Sequence, residues 1–198
     1  MDTIEIHGMS RGAFLVRGAL ATSAAVGAAS VGPWVTRALA QDGGGDVEIL
    51  NFALTLEYLE ADFYKQARKL PLKGQYKSLA KEFGANEQEH VDALVATIMQ
   101  LGGKPVKSPT FAFGLKTQKD FEQLAVTLED TGVSAYNGAA PMIKSTEVLA
   151  AAGSIVQVEA RHAAAIRALN GEQPAAGAFD EALDMQEVLT AVQPFVAS

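Results

Sequence analysis

The chain has 198 residues, of which 48% are hydrophobic, and a formal net charge of −7 at pH 7. This is about one domain's length with enough apolar residues for a folded core, and the acidic balance argues against a nucleic-acid partner, because nucleic-acid-binding surfaces carry clustered Lys and Arg. The absence of cysteine excludes disulfides, thiolate zinc sites, iron–sulfur clusters and thiol catalysis, so any metal ion must be held by His, Asp, Glu or backbone oxygen atoms.

Residues 1–40 are predicted to be an export signal. Arg11 and Arg17 precede an apolar run rich in Ala, Gly and Ser that extends to Val31, and Ala38-Leu39-Ala40 supplies the small residues of a cleavage site. We therefore expect cleavage after Ala40 and a periplasmic or extracellular location. The alternatives are a helix that stays attached and an uncleaved membrane anchor, but the run is short and glycine-rich for a membrane span.

The frame Ser10-Arg11-Gly12-Ala13-Phe14-Leu15 resembles a twin-arginine (Tat) leader, which exports proteins already folded around a cofactor. It departs from that pattern at Gly12, where the second arginine is expected. Beyond the leader, residues 41–45 are predicted to be a glycine-rich flexible linker. No later apolar stretch is long enough to cross a bilayer, so we expect no stable membrane span after processing.

Beyond the linker, apolar residues recur at spacings of three and four in four long segments, and almost no stretch alternates as a strand does. The chain is therefore expected to be all-α. The first helix is predicted from Asp46, as its N-cap, to about Lys69, near Pro71. The second is predicted over about 74–101 and to end at Gly102-Gly103, a typical C-cap.

The second pair of helices is predicted in the same way. The third helix begins after Thr117, with Asp120 favourable in its first turn, and stops before Pro141. The fourth runs from about Ser145-Thr146 to Asn170-Gly171, another glycine C-cap. Because only a handful of residues joins the helices of each pair, each pair is expected to be an antiparallel hairpin.

The two hairpins are joined by the stretch 102–117, which is long enough to cross the bundle from end to end. Two hairpins with one long crossover form the ferritin-like arrangement of a four-helix bundle, predicted here over residues 46–170. The remaining residues, 171–198, are predicted to be a C-terminal amphipathic segment with a short helix over about 179–192.

The two hairpins repeat one another at an offset of 72 residues. The segment Ala53-Leu54-Thr55-Leu56-Glu57 matches Ala125-Val126-Thr127-Leu128-Glu129. The same offset pairs the chemically distinctive residues of the two halves: Tyr64 with Tyr136, Glu87 with Glu159, and His90 with His162. Each half therefore contains a Glu, then a Tyr, then a Glu-x-x-His motif.

The Glu-x-x-His spacing places both side chains on one helical face, one turn apart. Glu57 and Glu87 each lie about 18 Å of helix rise from the turn between their helices, so they come to the same height, and the second hairpin repeats this. Pairing the hairpins about a pseudo-twofold axis brings four carboxylates and two imidazoles together at mid-bundle. This set suits two neighbouring divalent ions, each with one His and one terminal carboxylate, bridged by Glu87 and Glu159. The predicted metal ligands, which are also the predicted catalytic residues, are Glu57, Glu87, His90, Glu129, Glu159 and His162.

The two tyrosines of the repeat are predicted to support this centre. Tyr64 and Tyr136 lie seven residues beyond Glu57 and Glu129, on nearly the same stripe. Helical side chains lean toward the N-terminus, so the phenols are expected to hydrogen-bond ligand carboxylates. The alternative is an ordinary buried tyrosine with its hydroxyl at the rim.

Two further acids near the motifs have less clear roles. Glu60, one turn beyond the first glutamate of the repeat, maps onto Gly132. We expect it to be a solvated carboxylate or to support a ligand, with ligation itself left open. Glu89, next to a motif histidine, faces elsewhere on its helix and is predicted to be a surface residue.

With these motifs, the chain resembles the ferritin-like superfamily of di-iron and di-manganese carboxylate proteins over about residues 46–170. It is most similar to exported bacterial ferritin-like domain proteins related to plant desiccation-related proteins, which share Leu56-Glu57-Tyr58-Leu59-Glu60-Ala61, Glu89-His90-Val91 and Glu159-Ala160-Arg161-His162. The resemblance implies a ferritin-like bundle that holds two iron or two manganese ions and has a role in stress protection.

Three activities fit such a centre: ferrous oxidation, as in a ferroxidase; peroxide disproportionation, as in manganese catalases; and oxygenation of a substrate. Glu and His accept iron and manganese alike, so the ligands do not choose among them. We expect an exported protein whose partners are metal ions and dioxygen or peroxide, and which oxidises Fe(II) or consumes peroxide under oxidative or desiccation stress. The alternative is a non-catalytic metal-binding or protective bundle. Assembly into a homo-oligomer is left open.

Overall fold

The computed structural model of the protein describes residues 45–175 and 177–197. The predicted leader at 1–40 and the first four residues of the predicted linker at 41–45 lie outside these described residues. The described part of the chain is all-helical, as predicted, and has no β-strand. None of the helices in it combines the length and apolar character that a membrane crossing requires. Its α-helices are α1 (Asp46–Ala67), α2 (Gly74–Gln100), α3 (Gln118–Ala139), α4 (Thr146–Asn170) and α5 (Met185–Val192).

Local capping fixes the ends of α3 and α4. The Thr117 hydroxyl accepts a hydrogen bond from the backbone N–H of Asp120, and the Asp120 carboxylate accepts one from the backbone N–H of Thr117, which together form a capping box. The Ser145 hydroxyl caps α4 in the same way by accepting from the backbone N–H of Val148 at 3.2 Å. The helix ends at Gly171, whose φ of 77° lies in the left-handed region that glycine adopts without a steric penalty.

The start of α1 differs from the predicted one. Gly45, rather than Asp46, is the N-cap, and Asp46 is the first helical residue. The Asp46 carboxylate instead accepts hydrogen bonds from the backbone N–H groups of Lys144 and Ser145, at 2.7 and 2.8 Å. These bonds compete successfully with capping of its own helix, and they tie the beginning of α1 to the turn between α3 and α4.

The four long helices form two antiparallel hairpins, α1 with α2 and α3 with α4. At the end of the bundle opposite Asp46, the backbone N–H of Lys73 donates to the Gln118 side chain at 2.8 Å, and the Tyr76 hydroxyl donates to the Leu169 carbonyl at 3.0 Å. The turn between α1 and α2 therefore lies beside the start of α3 and the end of α4. This arrangement requires the crossover at 102–117 to run the length of the bundle, which gives the predicted ferritin-like topology.

Asn51 of α1 fastens the beginning of the crossover. Its side-chain amide donates to the carbonyl of Lys104 at 3.2 Å, and its amide oxygen accepts from the backbone N–H of Val106 at 2.8 Å. Asn51 is fully buried, and its amide satisfies backbone groups that water cannot reach.

Apolar side chains pack around the middle of the bundle in two clusters. In the larger one, the ring of Phe63 stacks on Phe121 with centroids 5.6 Å apart and meets Phe113 of the crossover edge-on at 5.3 Å. The smaller cluster contains the apolar residues nearer the start of α1, such as Leu54 and Ile98. Polar groups between these clusters are shielded from water, which strengthens their interactions with one another.

The C-terminal helix is shorter than the predicted 179–192. It begins only at Met185, because Asp184 and Glu187 form a capping box there, and Phe179 lies in a non-helical stretch with 77% of its surface exposed. The apolar face of α5 packs on the larger core cluster. The segment after it pairs with the crossover, where Val196 forms an isolated antiparallel bridge with Phe111.

We predict that Gly138 of α3 is required for the C-terminal segment to dock. A Cβ atom at this position would lie 1.8 Å from the Leu183 carbonyl oxygen, whereas a Cβ at Gly153 of α4 would contact nothing within 4 Å. Gly153→Ala should raise the melting temperature by about 2–4 °C, because alanine favours a helix by about 1 kcal/mol over glycine. Gly138→Ala should lower it by at least as much and speed hydrogen exchange of the Leu183 amide, which bonds to the Ser134 carbonyl. Equal effects of the two substitutions would contradict this.

Candidate metal centre

The structure brings all six predicted ligand residues together in the middle of the bundle. They come from all four long helices: Glu57 from α1, Glu87 and His90 from α2, Glu129 from α3, and Glu159 and His162 from α4. The four glutamates are fully buried. The His162 side chain is 4% exposed and the His90 side chain 12% exposed.

The donor atoms form two overlapping groups, each with atoms within 4.8 Å of one another. One group combines Glu57 and His90, and the other combines Glu129 and His162. Both groups also contain Glu87 and Glu159. This is the arrangement predicted for two metal positions, each with its own histidine and terminal carboxylate and with two shared carboxylates between them.

The two imidazoles contact the carboxylates of both hairpins through Nδ1. His90 Nδ1 lies 3.2, 2.8 and 3.1 Å from oxygen atoms of Glu57, Glu87 and Glu159. His162 Nδ1 lies 2.9, 3.3 and 3.8 Å from oxygen atoms of Glu87, Glu129 and Glu159. Glu87 and Glu159 each contact both histidines, so these two carboxylates lie between the imidazoles.

The unsatisfied atoms of the centre fit a metal pair. Oxygen atoms of Glu87, Glu129 and Glu159 and the Nδ1 atom of His162 are buried without a hydrogen-bond partner. His162 Nδ1 lies only 2.9 Å from Glu87 Oε1, yet the two atoms do not have hydrogen-bond geometry. Oxygen and imidazole donors that converge in this way suit iron or manganese.

In the metal-free protein, the carboxylates of the centre are hard to ionise. Burial raises the pKa of Glu57 to about 8, with repulsion from Glu159 adding to the effect. Burial likewise raises the pKa of Glu159 to about 8, an effect that the His90 imidazole 3.1 Å away opposes. Glu87 is the exception, since the two imidazoles beside it, His162 at 2.9 Å and His90 at 2.8 Å, outweigh burial and lower its pKa.

The histidines are shifted toward the charged form. Burial alone would lower the pKa of His90, but the carboxylates of Glu159, Glu57 and Glu87 around Nδ1 raise it to about 12. Burial is outweighed in the same way at His162, where Glu129 and Glu87 raise the pKa to about 10. Without metal, imidazolium ions and protonated carboxyls therefore offset the buried negative charge. Among the described residues, no Lys or Arg forms an ion pair with these glutamates.

The repeat tyrosines form the hydrogen bonds predicted for them, and each bond crosses between hairpins. The Tyr136 hydroxyl of α3 donates to Glu57 Oε1 of α1 at 2.5 Å. The Tyr64 hydroxyl of α1 donates to Glu129 Oε1 of α3. Both rings are buried, so the alternative with the hydroxyl at the rim does not hold. Burial and the adjacent carboxylates raise the pKa of both phenols well above the usual value.

Two residues that contact His162 were not predicted. The side-chain amide of Asn86 lies 3.1 Å from His162 Nε2, where its oxygen can accept a hydrogen bond from the N–H that the ring carries when Nδ1 faces the carboxylates. The ring of Phe83 stacks on the imidazole with centroids 3.8 Å apart. Together they fix the orientation of the ring, with Nδ1 toward the carboxylates. The repeat could not reveal Asn86, because the equivalent position in the second hairpin is Val158. The sequence signal that could have found Phe83 and Asn86 is their position on α2, four residues and one residue before Glu87.

Glu89 and Glu60, the two acids near the motifs that were not predicted as ligands, have different environments. Glu89 is exposed, as predicted. Glu60 is 2% exposed, so it is not the solvated carboxylate that was one of its two expected forms. Its side chain faces Gly132 of α3, next to the centre.

A depression between α2 and α4 leads from the surface to the histidines. It has a volume of about 440 Å³, and both histidines line it together with Phe83 and Asn86. Charged residues also line it, namely Glu82, Glu89 and Arg161. All three are exposed, so the approach to the centre is polar.

Comparisons with known proteins agree with this architecture. A sequence model of a family described as "ferritin-like domain" matches residues 45–172. Among solved structures, the chain is similar to a conserved hypothetical protein from Mycobacterium tuberculosis, with a TM-score of 0.59 and 16% sequence identity over 65% of this chain and 99% of that one. At this identity the likeness concerns the fold. No curated protein matches the sequence.

We predict that the metal-free protein loses stability as the pH rises from about 5 to 9. Glu57 and Glu159 hold protons in the folded state up to about pH 8 but lose them near 4.5 when unfolded, and His162 holds its proton up to about pH 10 rather than 6.5. The folded state therefore binds more protons than the unfolded chain across this window, and the free energy of unfolding must fall with pH. Thermal melts in a chelator should show this decline.

The double variant Glu57→Gln/Glu159→Gln is the matched control for that decline. It removes two of the proton-binding groups, so the slope of melting temperature against pH should become shallower. A wild-type melting temperature that rises over the same pH range would contradict the electrostatic description of the centre.

Proposed function

The chain belongs to the ferritin-like domain family, and we propose that it holds two iron or two manganese ions and uses them to oxidise Fe(II) or to consume peroxide. The observation that carries the proposal is the pair of overlapping ligand groups that share Glu87 and Glu159. A single-metal site would need only one of these groups. A single ion would leave one of the two repeat-related histidines, His90 or His162, without a role.

The charges support two divalent ions. Glu57, Glu87, Glu129 and Glu159 carry four negative charges when ionised, which two divalent ions balance. The two imidazoles are then neutral and donate through Nδ1. When bound, such a metal pair would provide electrons for the reduction of dioxygen or peroxide and, in peroxide disproportionation, would accept two electrons from a second peroxide molecule, which leaves as dioxygen.

The protein residues orient this chemistry. Tyr136 and Tyr64 hold the terminal carboxylates Glu57 and Glu129 through hydrogen bonds from the opposite hairpin. Asn86 and Phe83 hold the ring of His162. Partners of this kind fix the orientation of ligands, and their loss costs about 10–100-fold in metal affinity or activity in other metal sites.

A small, polar substrate fits the approach to the centre. The depression between α2 and α4 contains exposed charged side chains at its surface and the partly exposed edge of His90 in its interior. Fe(II), dioxygen and hydrogen peroxide are all small enough for such a route. As a ferroxidase, the protein would take one electron from each of two Fe(II) ions. These two electrons, with two protons, reduce one dioxygen molecule to hydrogen peroxide.

Export and a protective role belong to the same proposal. The leader predicted at 1–40 would direct the folded, metal-loaded protein to the periplasm or beyond the cell, although Gly12 departs from the twin-arginine pattern. The resemblance to desiccation-related proteins supports a role in oxidative or desiccation stress. In that location the protein would remove Fe(II) or peroxide before the two react with each other.

A non-catalytic metal clamp is the second candidate. The observation in its favour is that the ligands come from all four long helices, so bound ions would hold the bundle together without any turnover. The two candidates differ in whether bound metal reacts with an oxidant.

We predict that aerobic addition of Fe(II) to the metal-free protein produces rapid oxidation, seen as rising absorbance in the near ultraviolet. Glu87→Ala removes a carboxylate shared by both positions, so it should reduce the rate at least about 100-fold. Gln88→Ala changes the next residue on α2, which is exposed, and should react like the wild type. Metal binding by the wild type without faster oxidation than in Glu87→Ala would instead support the clamp.

Manganese distinguishes the two activities. If the protein consumes peroxide, the Mn(II)-loaded protein should release oxygen from hydrogen peroxide, measured with an oxygen electrode, and Glu87→Ala should not. Rapid Fe(II) oxidation with no oxygen release would assign the ferroxidase activity. Failure of both assays in protein shown to contain two ions per chain would contradict a catalytic role.

A further inference from the structure

Glu60 is a buried carboxylate that breaks the symmetry of the centre. Among the described residues, five glutamates are buried, and the other four form the repeat pairs of the centre. The 72-residue offset places Gly132, rather than a glutamate, at the position equivalent to Glu60. The Glu60 side chain is 2% exposed, and its Oε2 atom has no hydrogen-bond partner.

Gly132 makes room for this carboxylate. A Cβ atom on Gly132 would lie 3.0 Å from Glu60 Oε1 and 3.7 Å from Cγ of Glu159. The Glu60 carboxylate is therefore enclosed between α1 and α3, close to a carboxylate that both metal positions share. An alanine at 132 would require the Glu60 carboxyl to shift by a few tenths of an ångström, and a larger side chain would displace it further.

A carboxylate in this position is costly unless it binds something. Its strongest electrostatic neighbours include the four glutamates of the centre, and all of them repel its charged form. Oε2 of Glu60 is buried without a hydrogen-bond partner, which is unfavourable whether the carboxyl is protonated or ionised, and an apolar side chain of similar volume would fill the space without that cost. The burial of Glu60 together with the glycine that admits it therefore indicates a ligand for the carboxylate.

We propose that Glu60 is a fifth carboxylate ligand of the metal centre and that it makes the two metal positions unequal. The inference rests on the proposed function. Glu60 belongs to neither of the two overlapping ligand groups, so it joins them by rotation about its own side-chain bonds when metal binds. Because four carboxylates already balance two divalent ions, a fifth favours a higher total charge, such as one trivalent ion beside a divalent one.

The test measures Mn(II) binding without any turnover. Metal-free protein is titrated with Mn(II) alone, and free Mn(II) is followed by electron paramagnetic resonance. Wild type should bind two ions per chain. Glu60→Gln should still bind two, but one of the two steps should weaken by about tenfold or more, by analogy with the loss of groups that support metal ligands. Glu172→Gln, which removes the same charge from an exposed position, should bind like the wild type.

Thermal melts separate ligation from a loss of folding. Because a neutral amide of the same shape replaces a carboxyl that lies among four other glutamates, the metal-free Glu60→Gln protein should be as stable as the wild type or more so. Its gain in melting temperature on addition of Mn(II) should be smaller than that of the wild type, because the weakened step contributes less binding free energy.

Gly132→Ala gives an independent test through the same contact. In the wild-type background it should weaken the same binding step as Glu60→Gln. In the Glu60→Gln background it should have little further effect, since the two residues act as one unit. Equal weakening in both backgrounds would show that Gly132 acts by another route and would overturn the inference.

The outcomes for Glu60 and for the proposed function are distinguishable. Glu60→Gln that binds two Mn(II) ions with wild-type affinity at both steps would overturn the role of Glu60 and leave the two-ion centre intact. A wild-type protein that does not bind two Mn(II) ions would overturn the proposed function itself.

Discussion

Burying Glu57, Glu87, Glu129 and Glu159 in the middle of the bundle costs free energy that only positive charge at the same place can offset. In the metal-free protein this charge comes from the imidazolium ions of His90 and His162. Protons held by Glu57 and Glu159, whose pKa values are raised, also contribute. Divalent ions would supply it when bound. The histidines contact carboxylates between α2 and α4, and the tyrosines donate to carboxylates between α1 and α3. Together these contacts hold the two hairpins in register.

The 72-residue repeat that positions the glutamates also positions the tyrosines that hydrogen-bond to them. Tyr64 and Tyr136 each reach across to a carboxylate of the other hairpin, so neither half of the centre is complete without the other. Several residues around the centre do not follow this symmetry. Asn86 contacts one histidine only, and Glu60 faces a glycine instead of a second glutamate. The two overlapping ligand groups therefore have unequal surroundings, and two bound ions would differ in environment, which would suit a reaction in which they pass through different charge states.

Much of the fold and the grouping of the six residues could be predicted because the information is periodic. Apolar spacing and capping residues mark the four long helices, and the 72-residue repeat marks which acids and histidines face one another. A contact that occurs in only one hairpin, or between elements far apart in the sequence, produces no periodic pattern. The bonds of Asp46 to the turn between α3 and α4, the contact of Asn86 with an imidazole and the burial of Glu60 all depend on tertiary packing. The late start of α5 depends on a local capping box that competes with a longer amphipathic pattern.

Anomalous diffraction from crystals soaked in Mn(II) tests the central claim most directly. The account predicts two manganese peaks about 3.5–4 Å apart, one beside Nδ1 of His90 and the other beside Nδ1 of His162, with Glu87 and Glu159 between them. A single peak, or ions bound only to acids on the surface, would contradict it. In that case the buried carboxylates would have to be explained by captured protons alone.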